Sequence, residues 1–200
     1  GQPPFDDIIA ADKGAAFCLR AGLRPALLVG DFDTLPGEKL ELFRREQIPI
    51  RQFRPEKDFT DMEIALSAAM EYLRTSGSGV GQAVILGGTG TRLDHVLGTL
   101  YAVAGVRKEL DCEIVDSHNR IRMLLPGEYT IRREELYGKY VSFLPIGGEV
   151  QGVTLQGFRY PVQNAVLTPW NSLGVSNELS GDVGTVAFTG GRLAFFQTRD

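Results

Sequence analysis

PALLVGDFDTL, residues 25–35, contains an apolar run, Ala26–Val29, that reads as a buried strand. The run stops at Gly30, and two aspartates follow one residue apart, Asp31 and Asp33. Like charges at the mouth of a strand repel, so their placement needs a cause. Outward from this stretch, Ile8–Ala11, Ala83–Leu86 and Glu113–Val115 have the same apolar character, and Ile50–Phe53 is a weaker case. Helical patterns alternate with these runs at Ala15–Ala21, Glu38–Glu46, Asp61–Arg74 and Asp94–Glu109. In DMEIALSAAMEYL, for example, Met62, Ala65, Leu66, Ala69 and Leu73 share one helical face. Strand–helix alternation implies parallel strands joined by crossover helices. SGSGVG, residues 76–81, reads as a flexible connector inside this half rather than a domain boundary.

Beyond residue 120 the helical periods stop. IRMLL, YTIRR, YVSFLPI, GVTLQGF, NAVLT, TVAFT and LAFFQ are short, often alternating, and separated by Gly, Pro and Asn. They predict an antiparallel β-sandwich or jelly roll. TVAFT-GG-RLAFFQ has the form of a hairpin, with Gly190 and Gly191 expected to supply the positive φ angles of a two-residue turn. The expected architecture is therefore an α/β domain with a parallel sheet over residues 1–120, followed by a β-sandwich over 121–200.

Composition narrows the function. The net charge is −4, from 21 basic and 25 acidic residues, whereas a nucleic-acid binder normally shows a basic stripe. Cys18 and Cys112 are far apart and form no metal motif, which suits a reduced cytosolic chain. No apolar stretch approaches the roughly 20 residues that cross a bilayer. GQPPFDD at the start lacks a charged-then-apolar leader pattern, so the cytoplasm is the expected compartment.

Open parallel sheets bind ligands beyond the carboxyl ends of their strands. Asp12 follows the first run, Asp31 and Asp33 the second, Asp58 and Asp61 the third, and Asp94 the glycine-rich loop after the fourth. Clustered carboxylates repel unless a cation neutralises them, and oxygen-only ligands favour Mg²⁺ with substrate phosphates. Each acid also has a structural reading. Asp33 can cap the turn before Pro36. Thr60 to Glu63 has the form of a capping box with Asp61 in the first helical turn, and Asp94 can serve the same way after Thr91.

GGTGTRLDH, residues 87–95, follows a strand and opens a helix. Its glycines would let backbone N–H groups approach an anion. It is neither a P-loop nor the dinucleotide G-x-G-x-x-G pattern. Arg92 could grip phosphate bidentately, and Lys57 is a second phosphate candidate. Each could equally be a solvated cation, and His95 reads as either a base or a hydrogen-bonded structural residue. In PWNSLGVSNEL, residues 169–179, Trp170 is the only tryptophan, set among Asn171, Ser172, Ser176 and Asn177. That set could stack a flat ring and bond its edges, or be a turn with a core tryptophan.

AADKGA (10–15), VGDFDT (29–34), PEKDFTD (55–61), GTRLDH (90–95) and SLGVSNE (172–178), in this order, resemble the thiamin pyrophosphokinase family. The resemblance implies transfer of a pyrophosphoryl group from ATP to the hydroxyethyl arm of thiamin, giving thiamin diphosphate and AMP. It implies a homodimer with thiamin near the interface. It implies that Asp12, Asp31, Asp33 and Asp61 are the Mg²⁺-binding and catalytic acids, with the metal on Asp31, Asp33 and Asp61. Lys57, Asp58, Arg92, Asp94 and His95 would join Asp12 on the ATP side, and Arg92 would share the phosphate charge. Trp170, Ser172, Ser176 and Asn177 would hold thiamin. Lys13 stands where the family commonly has glycine, and Thr99 where asparagine is often found. Only GQPPFDD precedes IIAAD, where family members usually carry a strand and a helix.

Three rival readings share some of these features. DFDTL superficially matches the D-x-D-x-[TV] motif of haloacid dehalogenase-type phosphatases, but Leu35 fills the fifth position and Thr34 comes one place early. A non-enzymatic thiamin or nucleotide sensor would keep the pocket without so many acids. A structural interaction module would explain none of the acid placement.

Overall fold

The computed structural model describes residues 7–33, 35–54, 59–76 and 81–200. The chain divides into two compact units, Gly1–Gly79 and Val80–Asp200, with the division inside the SGSGVG segment. Residues 77–80 of that segment lie outside the described residues.

The first unit runs β1 (Ile9–Ala11), α1 (Gly14–Ala21), β2 (Leu27–Gly30), α2 (Gly37–Arg45), β3 (Ile50–Gln52) and α3 (Asp61–Ser76). Its sheet has the order β1-β2-β3, with both pairings parallel and Ala11 beside Val29 beside Arg51. Ala10, Ala15, Cys18, Leu28, Phe32, Leu35, Leu40, Phe43 and Ile48 form its buried core. The helix ends show how the local sequence sets the turns. α1 stops at Gly22 (φ 65°), where the N–H of Gly22 bonds the Leu19 carbonyl at 3.4 Å and that of Leu23 bonds Cys18 at 2.9 Å. This glycine-terminated arrangement satisfies the last carbonyls. α2 ends in the same pattern on a non-glycine residue, Gln47 (φ 57°), which turns Ile48 back into the core. α3 opens on the expected capping box: the Thr60 N–H donates to Glu63 Oε2 at 2.8 Å, and the Glu63 N–H donates to Thr60 Oγ1 at 3.3 Å.

The second unit begins with β4 (Gly81–Leu86), α4 (Leu93–Val106) and β5 (Leu110–Val115), and β4 and β5 pair in parallel as a crossover predicts. It continues with β6 (Asn119–Leu124), β7 (Gly127–Arg132), a short 3₁₀ turn (Arg133–Glu135), β8 (Tyr140–Pro145), β9 (Val150–Gln156), β10 (Val162–Leu167), β11 (Val183–Phe188) and β12 (Leu193–Thr198). One sheet has the order β4-β5-β6-β12-β8 and the other β10-β9-β11-β7. The crossover pair thus extends a sheet whose other pairings are antiparallel. Leu124, Val141, Phe143, Leu193 and Phe195 of the first sheet pack with Ile131, Val153, Leu155, Leu167, Val186 and Phe188 of the second in one buried cluster, which makes the pair a sandwich.

The hairpin expected at TVAFT-GG-RLAFFQ does not form. β11 pairs with β7 and β9, while β12 pairs with β6 and β8 in the other sheet, so the two strands arch from one layer to the other. The glycines are needed for a different reason. Gly190 bridges to Gln151, and only Gly191 has positive φ (92°). A Cβ on Gly191 would lie 2.5 Å from the Glu149 carbonyl oxygen. A glycine pair reports close backbone approach as readily as it reports a primed turn.

Phe143 anchors the sandwich. It is fully buried, stacks on Phe195 with centroids 5.1 Å apart, and meets Phe158 edge-on at 5.5 Å. Phe143→Ala should cost about 3–5 kcal/mol, read as a lowered denaturant midpoint for the sandwich transition at unchanged slope. A midpoint equal to that of the parent would show that this stack does not hold the two sheets together.

Candidate active site

The acids of the first unit converge because the ends of β1 and β2 are forced close. Asp12 leaves β1 in the left-handed region (φ 43°), with its N–H on the Val29 carbonyl at 2.9 Å and its own carbonyl accepting from Ala15 at 3.0 Å. Gly30 ends β2 at φ 150°, and a Cβ there would stand 3.2 Å from both Cα and N of Asp12. The chain then passes through Phe32, also left-handed (φ 58°), whose ring is buried in the core. Asp31 is partly buried and Asp33 exposed on either side of that anchor. The Asp33 N–H donates to Asp31 Oδ1 at 3.1 Å, and Gln52 Nε2 holds the Asp31 carbonyl at 3.1 Å.

Asp12, Asp31 and Asp33 each offer an oxygen within 4.8 Å of the others. At an effective dielectric near 20, each such pair of charges repels by about 3–4 kcal/mol. The Asp12 carboxyl titrates above its ordinary range, first because it is partly buried, then because of the charge of Asp61, and further because of Asp31 and Asp33. Asp61 is the first residue of α3. It does not join the three at ligand spacing, yet its charge acts on Asp12 more strongly than theirs do. Coulomb interaction reaches beyond ligand distance, so both observations hold. The donor set is all oxygen and suits a hard divalent cation such as Mg²⁺. Lys57 and Asp58 lie outside the described residues, as does Thr34.

In the second unit the glycine-rich loop joins β4 to α4. Arg92 occupies the position before α4 in an extended conformation, and its guanidinium grips Asp94 bidentately, at 3.2 Å from Nε and 2.6 Å from Nη2. Both side chains are exposed. The hydrogen bond from Arg92 holds the Asp94 carboxyl below its ordinary range. Asp94 is thus paired with Arg92, and His95 beside it is exposed.

The 169–179 segment divides by role. Trp170 is 89% exposed, so it is not a core tryptophan. Ser172 and Ser176 are exposed as well, and Ser176 is left-handed (φ 55°) with its N–H on Ser142 Oγ at 3.0 Å. Asn177, by contrast, is 1% exposed. Its amide oxygen accepts the N–H groups of Tyr160 (3.0 Å) and Glu178 (2.9 Å), and its amide nitrogen donates to the Tyr160 carbonyl (2.8 Å). Its backbone pairs with Val141. Gly174, at φ 97°, lets the segment close on β8, where a Cβ would lie 2.6 Å from the Phe143 carbonyl oxygen. Gly174 and Asn177 therefore clip the loop down, and Trp170, Ser172 and Ser176 are presented by it.

Residues 5–115 match the family model described as thiamin pyrophosphokinase, catalytic domain, and residues 128–193 match that described as thiamin pyrophosphokinase, vitamin B1 binding domain. The chain belongs to the thiamin pyrophosphokinase family. It is a transferase of the diphosphotransferase kind. It is 34% identical over 193 residues to the thiamine pyrophosphokinase of Bacillus subtilis (strain 168), covering 96% of this chain and 87% of that one. The crystal structure of the Bacillus subtilis thiamine pyrophosphokinase superposes with a TM-score of 0.83 over the same shares of the two chains. The thiamin pyrophosphokinase from Candida albicans, 16% identical, shares the fold with a TM-score of 0.78 over 98% of this chain and 82% of that one. The phosphatase and sensor readings gain no support from these likenesses. Among the described residues, no helix is long and apolar enough to cross a membrane.

Two residues close to these elements escape a reading by motif. Asp116, just after β5, accepts a hydrogen bond from the Thr89 hydroxyl of the glycine loop. The only local sign was D-x-x-N, a turn signal at Asp116 and Asn119. Gly30 reads as a strand stop, not as the contact that seats Asp12. Gly30→Ala should push the Asp12 backbone away and destabilise the first unit by about 1–3 kcal/mol. It should also raise the Mg²⁺ concentration for half-maximal activity about tenfold or more. An unchanged Mg²⁺ requirement would show that the close approach of Gly30 to Asp12 does not shape the acid group.

Proposed function

We propose that the chain transfers the pyrophosphoryl group of ATP to the hydroxyethyl oxygen of thiamin, giving thiamin diphosphate and AMP, and that its acid cluster holds Mg²⁺ for that reaction. The observation that carries the metal is the convergence of Asp12, Asp31 and Asp33 at ligand spacing, with Asp61 acting on the same group. The bound cation supplies charge neutralisation for the phosphates. The division of labour proposed is residues 1–120 for ATP and metal and 121–200 for thiamin.

In this reading Asp31, Asp33 and Asp61 are catalytic acids, and Asp12 orients the ATP side of the cluster. Lys57, Asp58, Arg92, Asp94 and His95 belong to the nucleotide side. Arg92 uses its exposed guanidinium on phosphate oxygens by exchanging part of its grip on Asp94. Trp170 stacks the thiamin ring, and Ser172 and Ser176 bond its polar edge. Asn177 sets the loop that presents them, because its amide is committed to backbone partners. The thiamin hydroxyl oxygen forms a bond to the β-phosphorus as the bond to the α-phosphate oxygen breaks. AMP leaves, and the hydroxyl proton passes to an acceptor at the site. Little covalent chemistry is asked of the protein, so positioning dominates.

The thiamin loop also supports assembly as a homodimer. Leu173 and Val175 are each 43% exposed beside Trp170, an apolar surface that a partner or ligand would cover. Cys18 and Cys112 are buried and unbridged, which suits the reducing cytoplasm.

Incubation with ATP, Mg²⁺ and thiamin should yield AMP and thiamin diphosphate in equal amounts. Asp33→Asn should lower turnover by at least about 100-fold with the fold intact by circular dichroism. Near-parent turnover of that variant at saturating Mg²⁺ would remove Asp33 from the metal site.

A further inference from the structure

The 87–92 loop is held at two points and open at a third. Gly88 is buried, and a Cβ there would meet Ile85 Cγ2 at 3.1 Å and Ile114 Cγ2 at 3.2 Å, so the backbone lies flat on the strands beneath. At the next residue the Thr89 hydroxyl donates to Asp116 Oδ2. Gly90 then has nothing within 4 Å of where a Cβ would stand, and its φ lies outside the left-handed region. Neither conformation nor packing asks for glycine at Gly90, which leaves room for a ligand to approach the backbone.

Asp116 is a firm point of attachment. Its Oδ1 accepts the N–H groups of His118 (2.6 Å) and Asn119 (2.7 Å), and the Asn119 amide reaches both oxygens (3.1 and 3.0 Å). Burial alone would raise this carboxyl, but the Thr89 hydroxyl and the turn's N–H donors outweigh it and bring it to about 2. The group is therefore ionised throughout the neutral range. The turn that carries it is braced in its own right. The Asp116 N–H bonds the Asn119 carbonyl at 2.9 Å, the Tyr137 hydroxyl donates to the Asp116 carbonyl, and Arg199 Nε donates to the Ser117 carbonyl at 2.9 Å. The Asn119 and His118 donors are local to the turn, whereas the Thr89 bond spans 27 residues and joins the turn to the loop.

We propose that Asp116, acting through the Thr89 hydroxyl, is a positioning residue that presets the 87–92 loop for the phosphates of the nucleotide. The proposal rests on the reading of that loop as part of the ATP site. Ordering a loop costs conformational entropy at each residue, most at glycine, and three of the six residues in this loop are glycine. A tether made in the free protein removes part of that cost before ATP arrives, so it acts on nucleotide binding more than on thiamin. N–H and O–H donors on both oxygens solvate the Asp116 carboxylate, so it stays ionised beside the loop without a cationic partner of its own among the described ion pairs.

Steady-state kinetics of Thr89→Val, Thr89→Ser and Arg92→Ala test this. Thr89→Val deletes the hydroxyl at nearly constant volume and leaves the local partners of Asp116 in place. It should raise KM for ATP about tenfold, with KM for thiamin within about twofold of the parent, and Thr89→Ser should restore the parent value. An unchanged KM for ATP in Thr89→Val, while Arg92→Ala raises it, overturns the tether. Equal rises for both substrates, or no rescue by serine, overturn it too and leave a purely structural bond. If neither Thr89→Val nor Arg92→Ala changes KM for ATP, the loop is not the nucleotide site, a separate failure.

Discussion

Repulsion between carboxylates at the ends of β1 and β2 is the constraint around which the first unit is arranged. Asp12, Asp31 and Asp33 sit at a spacing that is unfavourable without a cation, and the fold compels it. Gly30 lets the backbone of one strand end press against the other, and the buried ring of Phe32 fixes the register of the aspartates on each side. Two non-glycine residues, Asp12 and Phe32, accept left-handed backbone to achieve this. Strain of about 1–3 kcal/mol per such residue persists only where surrounding packing over-determines it, and it gathers at functional sites.

The second unit solves a different problem. Its sandwich core, which holds Phe143, Phe158, Phe188 and Phe195, is the framework that carries the loops. The 169–179 segment is clipped to β8 by Gly174 and Asn177, which leaves Trp170 and two serines facing outward. The glycine loop is pinned at Gly88 and Thr89 and open at Gly90. In both loops groups that bond the scaffold alternate with side chains that stay exposed. That alternation is what a binding loop on a rigid framework requires.

Much of this was legible from local chemistry. The capping box at Thr60–Glu63, the parallel pairings, the strand-end aspartates and the sandwich all follow from periodicity and residue type. What was not legible has a common origin. Gly190–Gly191 reads as a hairpin because hairpins are the commonest use of such a pair, and only the pairing of β11 and β12 with different sheets shows that it is an arch. Asn177 reads as one of the polar residues that could bond the edges of a flat ring, and only the tertiary structure shows its amide buried on three backbone groups. Asp116 carries only a turn signal, since its tie to the glycine loop depends on Thr89, which is remote in the chain.

By itself the sequence determined the elements, their alternation, the shift from α/β to β after residue 120, and the family. These depend on neighbours within a turn or on residue order, which a string records. Tertiary structure alone decided that β4 and β5 extend the sandwich sheet, that Asp12 joins Asp31 and Asp33 at ligand spacing, and that Asp116 holds the glycine loop. Those facts depend on which strand ends are brought side by side. Chain topology and packing settle that, and no local propensity encodes it.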